Sequence, residues 1–513
     1  MKQFNYIISG LSLITSTMAF SQTNQTVRPN IIYVFPDQYR NDACGFWNLK
    51  GFREYRNSKG DPTITPNLNQ FARESLVLTS AQSNNPVSSP HRAMLMTGMY
   101  SANKNGVPVN CNTNSPQSTL NPASTTIGDV FSQAGYDCAY IGKYHLDTPT
   151  PNDPNNPGHY VENKKEVWDA YTPKELRHGF NYWYSYGTFN EHKNPHYWDN
   201  DGCKHEPYEY SPIHEARKAV EYIKNTGNIR DPQKPFLMML SMNPPHSPYN
   251  SLHDCMEEDY NLYKDIPLDS LLFRPNVDRS MKKMKAAPYY FANVTGVDRA
   301  FGIILTTLKE MELDKNTIVV FTSDHGETMC SHGTTDPKNS PYAESMNVPF
   351  IIRYPQKIKP RVDSLLLSTP DIMPTLLGLA GLDKQIPTEV EGRNYSELFL
   401  DEYSSIPRPT SALYFKYADG KIFQKSMVNN YFPTSRGIKT AKYTLAFTIS
   451  ENRELKEILF FDDKKDPYQL KNLPLKGNEK IIKELCKELG RQLKSINDPW
   501  YKEKILNELI SYK

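Results

Sequence analysis

The stretch Asn85-Pro86-Val87-Ser88-Ser89-Pro90-His91-Arg92-Ala93-Met94-Leu95-Met96-Thr97-Gly98 puts a hydroxyl at the mouth of a helix and a guanidinium one turn further in. Pro90 suits a first helical turn, where the N–H it lacks has no partner anyway. Free backbone N–H groups and the positive helix end would then face an anion held at Ser88. Arg92, four residues on, shares that side of the helix. Taken alone, a Ser before a helix with an Arg one turn later is more often a cap and a solvated charge.

Elsewhere in the chain, four apolar runs end in side chains able to do chemistry. Asn30-Ile-Ile-Tyr-Val-Phe35 leads into Pro36-Asp37-Gln38, and Cys138-Ala-Tyr-Ile141 into Gly142-Lys143-Tyr144-His145. Phe236-Leu-Met-Met-Leu240 is followed by Asn243-Pro-Pro-His246, and Asn316-Thr-Ile-Val-Val-Phe-Thr322 by Ser323-Asp324-His325-Gly326. Each run reads as a strand, and the runs alternate with helical patterns, the signature of βαβ units around a mostly parallel sheet. In such sheets ligands bind beyond the carboxyl ends of the strands, so the four endings point to one shared site.

The chain resembles the type I sulfatases, whose signature is a Cys or Ser, any residue, Pro, any residue, Arg, and then an apolar pair with Thr-Gly. Ser88, Pro90, Arg92, Leu95-Met96 and Thr97-Gly98 fit it. The likeness continues through the strand ending at Asp37, Gly142-Lys143-Tyr144-His145-Leu146, Pro245-His246 and Ser323-Asp324-His325-Gly326-Glu327. It extends to Lys338, Pro341-Tyr342-Ala343-Glu344 and Val348-Pro349-Phe350. The resemblance implies an α/β, alkaline-phosphatase-like fold. It also implies conversion of Ser88 to formylglycine, an aldehyde present as a geminal diol, by an anaerobic maturase acting before export. A bare serine would be left as a stable sulfate ester, whereas the second hydroxyl of a diol can expel sulfate.

By the same resemblance, Asp37, Gln38, Asp324 and His325 hold a divalent cation, usually calcium with magnesium as the alternative, against the oxygen at Ser88. Gln38 stands where the family more often has a second Asp, and His325 where it often has Asn, so this set carries fewer negative charges. Arg92 and Lys143 resemble the cations that fix the formylglycine and the sulfate, and Lys338 the one that reaches the bridging ester oxygen. His145 resembles the base for sulfate release, and His246 the residue that protonates the leaving alkoxide, shared with Lys338. His332 is a candidate substrate contact, with a turn beside Gly333 as the plainer reading.

Trp183, Tyr184, Tyr186, His192, His196, Tyr197 and Trp198 crowd one short region. Flat aromatic faces suit sugar rings, which makes His192 and Trp198 candidate substrate contacts and a sulfated glycan the expected partner; ordinary aromatic core packing competes with this. Among glycans, sulfated galactose or N-acetylgalactosamine units rank first.

Composition sets the frame. The chain has 513 residues, 38% hydrophobic and 23% charged, with 59 Lys and Arg against 57 Asp and Glu. A net charge of +2 supplies no basic field for nucleic acid, and a mean hydropathy of −0.64 excludes a polytopic membrane protein. Residues 1–21 read as a secretory leader, with an apolar stretch ending at Ala19-Phe20-Ser21. The run is too short and too polar for a stable membrane anchor, so export to the periplasm or beyond is expected. Seven cysteines, an odd number, permit disulfides without indicating which pair. Residues 22–405 read as the catalytic domain and 406–513 as a smaller α+β subdomain. Helices are expected to open at Thr65-Pro66 and Ser211-Pro212, to run over 298–313 and to begin at Glu479. Antiparallel strands are expected over 439–447 and 457–461.

Two rivals come from other classes. A phosphoester or phosphonate hydrolase of the same superfamily would need a second metal-binding His/Asp set. A non-catalytic glycan-binding protein would follow if Ser88 is never modified.

Overall fold

The computed structural model describes Met1, residues 28–111, 118–147, Asp169, 171–418 and 431–511. The leader expected within residues 1–21 lies, apart from Met1, outside the described residues, as does the whole Pro/Asn-rich segment 148–158.

The larger sheet is built from β1 (Asn30–Val34), β2 (Leu76–Gln82), β3 (Asp137–Lys143), β4 (Tyr182–Tyr186), β5 (Tyr197–Trp198), β6 (Lys204–His205), β7 (Phe236–Ser241), β8 (Thr317–Thr322), β9 (Asn347–Arg353) and β10 (Arg361–Asp363). Their order across the sheet is β10-β2-β9-β8-β1-β7-β3-β4-β5-β6. From β8 through β1, β7 and β3 to β4, each neighbour is parallel. β9 is antiparallel to β8 and β2. The central strands are buried along their whole length, which is why NIIYV, FLMMLS and TIVVFT read as continuous apolar runs rather than alternating ones. Period-two geometry sorts their side chains between two cores. Ile32 and Val34 meet α1 (Pro66–Arg73), the helix Ala287–Glu310 and α4 (Ser211–Lys224) on one face. Ile31 and Tyr33 meet α2 (Ser88–Thr97) and α3 (Ile127–Gln133) on the other.

Because β8, β1, β7 and β3 are adjacent and parallel, their carboxyl ends emerge at one edge. The close approach there depends on Gly142, whose φ is +90° and whose added Cβ would sit 2.1 Å from the Ser241 carbonyl oxygen of β7. A second sheet, β11 (Ser411–Lys416), β12 (Ser435–Thr440), β13 (Tyr443–Ile449) and β14 (Leu455–Asp462), is antiparallel. The helix Glu479–Ser495 packs on it through Ile482, Leu485 and Leu489. The expected α/β architecture, a large mostly parallel sheet plus a small antiparallel one, is therefore the one observed.

Several local readings change. The run 439–447 is not one strand but the end of β12, a turn and the start of β13; Thr440 Oγ1 accepts from the N–H groups of Lys442 (3.2 Å) and Tyr443 (2.8 Å). The helix expected to start at 298 begins at Ala287, eleven residues earlier, with Pro288 in its first turn. A buried acid, Asp298, interrupts its apolar pattern and marked a false start. Thr65 does precede α1, but its hydroxyl accepts from Gly45 N–H. The helix mouth is instead capped by Asp298, which accepts from Asn67 N–H at 3.1 Å and Leu68 N–H at 2.7 Å. All seven cysteines are unpaired.

Candidate active site

Ser88 opens α2, whose ten residues are all buried and which ends at Gly98 in the left-handed region. Val87, the residue before it, offers no cap, and the Ser89 N–H of the first turn donates to Asn110 Oδ1 at 3.1 Å. Ser88 Oγ instead lies 3.2 Å from Asp37 Oδ2, 3.5 Å from Asp37 Oδ1 and 3.1 Å from His325 Nε2. Asp37 follows β1 and His325 follows β8, so two adjacent parallel strands deliver these groups to one helix N-terminus.

Cations surround them. Arg92, one turn into α2, places Nη2 3.3 Å from Asp37 Oδ2 and 3.1 Å from Asp324 Oδ2. Its Nη1 donates to the Lys143 carbonyl at 2.7 Å and to Ser241 Oγ at 2.6 Å, fixing the guanidinium across the ends of β3 and β7. Lys143 Nζ is 2.7 Å from Asp37 Oδ2 and donates to Asn243 Oδ1 at 3.2 Å. Two carboxylates and two cations thus share an enclosed space, where any one of them alone would be prohibitively desolvated. Burial alone would push Asp37 up, yet Lys143 first, and then His246, His325 and Arg92, hold it well below the usual carboxylate range. Burial pulls Lys143 down, with Asp37 opposing.

The histidines resolve by their partners. His325 Nδ1 lies 3.0 Å from the Gly326 carbonyl, which can only accept, so Nδ1 carries the proton and Nε2 presents a lone pair. Asp37, Asp324 and His325 each offer one ligand atom within 4.8 Å of the others, the one such donor group with metal-ligand spacing among the described residues. Two anionic carboxylates and a neutral imidazole within this reach suit a divalent cation, and Gln38, next to Asp37 in the chain, has its Oε1 accepting from Lys338 Nζ at 3.2 Å. His246 is arranged similarly to His325: Nδ1 donates to the Ser247 carbonyl at 2.7 Å, leaving Nε2 to accept from Lys338 Nζ at 3.0 Å. Burial, then Lys338 and Lys143, depress its pKa well below the usual value. Burial and the Lys143 and Arg92 charges likewise depress His145, whose φ is +53°.

Ser88, Arg92, Lys143, Asp37, Asp324, His325, Gln38, Lys338 and His246 therefore form one connected set, and His145 follows two residues after Lys143. The proposed sugar contacts are placed differently. Trp198 and His192 are each 1% exposed. Trp198 packs edge-on against Tyr171 and His196, and His192 Nδ1 lies 2.8 Å from the Asp254 carbonyl. Both are enclosed within the protein, in a region where Tyr184 and Tyr197 stack at 4.7 Å, rather than displayed on an open face. His332 stacks on Tyr342 at 3.7 Å and bonds Glu344 Oε2 at 3.1 Å. Motif reading left Asn243, Ser241 and Glu327 without roles, although each follows or ends one of the four strands; that position was the available signal.

Residues 29–382 match the sulfatase family model, and 331–498 match the model described as N-sulphoglucosamine sulphohydrolase, C-terminal. The chain is 65% identical over 489 residues to an endo-4-O-sulfatase of Bacteroides thetaiotaomicron, covering 95% of this chain and 96% of that one. It is 31% identical to an ulvan-active sulfatase of Formosa agariphila, over 95% of this chain and 85% of that one. A solved Bacteroides thetaiotaomicron structure from work on the metabolism of multiple glycosaminoglycans superposes with a TM-score of 0.91, at 65% identity, over 94% of this chain and all of that one. Matched over most of its length, with the serine of the family signature set among acids and cations at the sheet edge, this chain belongs to the sulfatase family, and its activity is that of a sulfatase.

Proposed function

We propose that the protein is exported and removes 4-O-sulfate groups from residues within a sulfated glycosaminoglycan chain, with galactose or N-acetylgalactosamine units as the sugars. The observation that carries the chemical part is the position of Ser88 Oγ, 3.1 to 3.5 Å from Asp37 and His325 at a helix N-terminus. The substrate part is supported by the 65% identity to an endo-4-O-sulfatase.

In this reading Asp37, Gln38, Asp324 and His325 would hold the divalent cation, calcium or magnesium. When bound, it makes the neighbouring hydroxyl easier to ionise and offsets charge on the sulfuryl oxygens. Formylglycine derived from Ser88 by a maturase would supply, as its diol, the second hydroxyl that lets sulfate depart. Arg92 and Lys143 neutralise the sulfate and keep the Ser88 side chain aimed at it. His145 accepts the proton released as sulfate leaves. Lys338 and His246 share one proton across 3.0 Å, positioned for delivery to the departing sugar oxygen. Residues 1–21 act as the leader, residues 22–405 carry the whole catalytic set, and the subdomain 406–513 contacts it through β11, where the Leu413 carbonyl accepts from Asn84 and Tyr414 Oη donates to the Asn339 carbonyl.

The test uses protein coproduced with a serine-type maturase. It is incubated with galactosamine-containing oligosaccharides of increasing length, sulfated at the 4- or the 6-position. Mass spectrometry should show loss of one sulfuryl group per 4-sulfated unit, internal units included, with the chain length unchanged. Release only from the terminal unit would overturn the endo assignment, and release from the 6-sulfated series alone would overturn the positional one.

A further inference from the structure

We propose that Glu327 is a positioning residue that fixes the amide of Gln38 with its oxygen toward the cation site, and that Gln38 and Glu327 together do the work of the second acid that the family more often carries. This rests on the reading of Asp37, Gln38, Asp324 and His325 as a metal site.

The side chain of Gln38 bridges two groups whose hydrogen-bonding character is fixed. At one end stands Lys338 Nζ, 3.2 Å from Gln38 Oε1. An ammonium has donors only, so the atom facing it must be the amide oxygen. At the other end stands Glu327, which is fully buried and accepts from Gln38 Nε2. That carboxylate is surrounded by donors: Tyr249 Oη at 2.8 Å on Oε2, and Met329 N–H at 2.8 Å with Lys283 Nζ at 3.2 Å on Oε1. With the Gln38 amide these make four donors for about four lone-pair positions, so Glu327 meets every partner as an acceptor and the amide must turn its NH2 toward it. The two constraints agree, and a flipped amide would violate both.

The backbone leaves Gln38 little other freedom. Its φ is +62°, its N–H donates to Asp324 Oδ1 at 3.0 Å, and its carbonyl accepts from Tyr290 Oη at 2.9 Å. A carboxylate of the same length at position 38 would meet the Glu327 carboxylate head-on, and like charges in contact in a buried site are costly. The amide at 38 and the acid at 327 therefore suit each other: Gln38 would offer its oxygen to a bound cation while Glu327 holds and polarises the amide from its nitrogen end. Ligands held by outer partners in this way lose metal affinity when the partner is removed.

Calcium titration of the full chain, produced without a maturase so that Ser88 stays serine and stripped of metal by chelation, provides a readout independent of turnover. Calorimetry should give Glu327→Gln a calcium affinity about 10- to 100-fold weaker than that of the unaltered chain. Lys283→Met, which removes a contact of Glu327 on the side away from Gln38, should stay within about threefold, well short of that outer-partner loss. The exchange Gln38→Glu with Glu327→Gln keeps one amide and one carboxylate in contact, the amide at position 327 now donating to the carboxylate at position 38, and should bind calcium at the original strength or more tightly. Wild-type affinity in Glu327→Gln would overturn the proposal. So would an exchange variant that binds no calcium, folded or not. An unaltered chain that binds no calcium would instead defeat the metal-site reading itself.

Discussion

At the scale of single residues, the site is an exercise in charge balance. Asp324 shows how much one side chain does: its Oδ1 accepts from the N–H groups of Gln38 (3.0 Å) and His325 (2.9 Å), and its Oδ2 pairs with Arg92. Asp324→Asn retains an acceptor for both backbone groups, so it should fold, while removing one of the two carboxylates of the proposed cation site. Turnover should fall on the order of 10²- to 10³-fold, as when a preorganised electrostatic contact is removed. Near-normal turnover persisting after chelation would show that the metal is held elsewhere. The Lys338–His246 pair makes a different prediction. A sugar alkoxide leaves poorly and needs a proton, whereas a nitrophenolate does not. His246→Ala should therefore lose on the order of 10²- to 10⁴-fold on a sulfated sugar and far less on a nitrophenyl sulfate. Equal losses on the two would leave His246 as a sulfate contact and pass the proton to Lys338 alone. Asp324 and His246 were legible in the sequence because each follows a strand, a position that the backbone pattern marks, whereas Lys338, in the long loop between Thr322 and Ala343, was legible only through the family resemblance. Glu327 was legible only as a letter in a motif, since its role lies in a contact with Gln38 across 289 positions of chain.

At the scale of elements, local signals located the starts of α1, α2 and α4 but not what stabilises each start. Thr65 has the residue type of an N-cap and the right position, yet the orphan N–H groups of α1 are satisfied by Asp298 from the middle of another helix. That assignment cannot be read locally, because a cap drawn from 230 positions away leaves no trace beside the helix. The same acid misled the reading of its own helix, as a charged residue inside an apolar run resembles a boundary. Burial pushes the Asp298 carboxyl up to about 6, while the N–H groups of Leu68 and Asn67 pull the other way. Asp298→Ala should destabilise the fold by about 1 to 2 kcal/mol, the range for a lost cap, measured as a fall in the urea midpoint. Asp298→Asn, which keeps an oxygen for only one of the two N–H groups and turns an amide NH2 toward the other, should recover only part of it. If both variants matched the unaltered chain, α1 would owe its start to Pro66 and packing alone. The aromatic region taught the converse lesson. Composition marked Tyr184, Tyr197 and Trp198 as notable, but a sequence does not say whether a ring faces sugar or neighbour, and here the neighbours enclose it.

At the scale of the whole molecule, a buried ionic network joins segments that the sequence keeps far apart and carries them up to the site. Arg40, two residues after Gln38, pairs with Asp61 at 3.3 Å and Asp42 at 3.5 Å. Arg274 reaches the same two acids at 3.2 and 2.6 Å, and Glu344 at 3.8 Å. Glu344 also accepts from Asn276 at 2.6 Å and meets His332 at 3.1 Å, while Asn276 donates to the Tyr468 carbonyl beyond β14 at 3.0 Å. The loop carrying Lys338 is tied on both sides, with Asn339 N–H donating to the Pro86 carbonyl at 3.0 Å and its own carbonyl accepting from Tyr414 Oη of β11 at 3.2 Å. The smaller sheet thus braces the segment that supplies one of the cationic residues. Burial would raise the Glu344 carboxyl, but the His332 hydrogen bond, followed by the Arg274 and Arg40 charges, lowers it from about 4.5 to about 2. A carboxyl depressed on folding adds stability that is fully present above its unfolded value and is lost as pH falls through its folded one. A depression of this size corresponds to about 3 kcal/mol at 1.36 kcal/mol per unit, in line with the cost of breaking a buried pair. Glu344→Gln should therefore lie about 3 kcal/mol below the unaltered chain at pH 7. The gap should narrow steadily as the pH is lowered from about 5 toward 3, where the unfolded carboxyl takes up its proton. Urea unfolding of both proteins across that range measures the gap directly. A gap that stayed constant with pH would mean that Glu344 contributes through its shape and hydrogen bonds rather than its charge, and the network would then hold the Lys338 loop without electrostatic help from this acid.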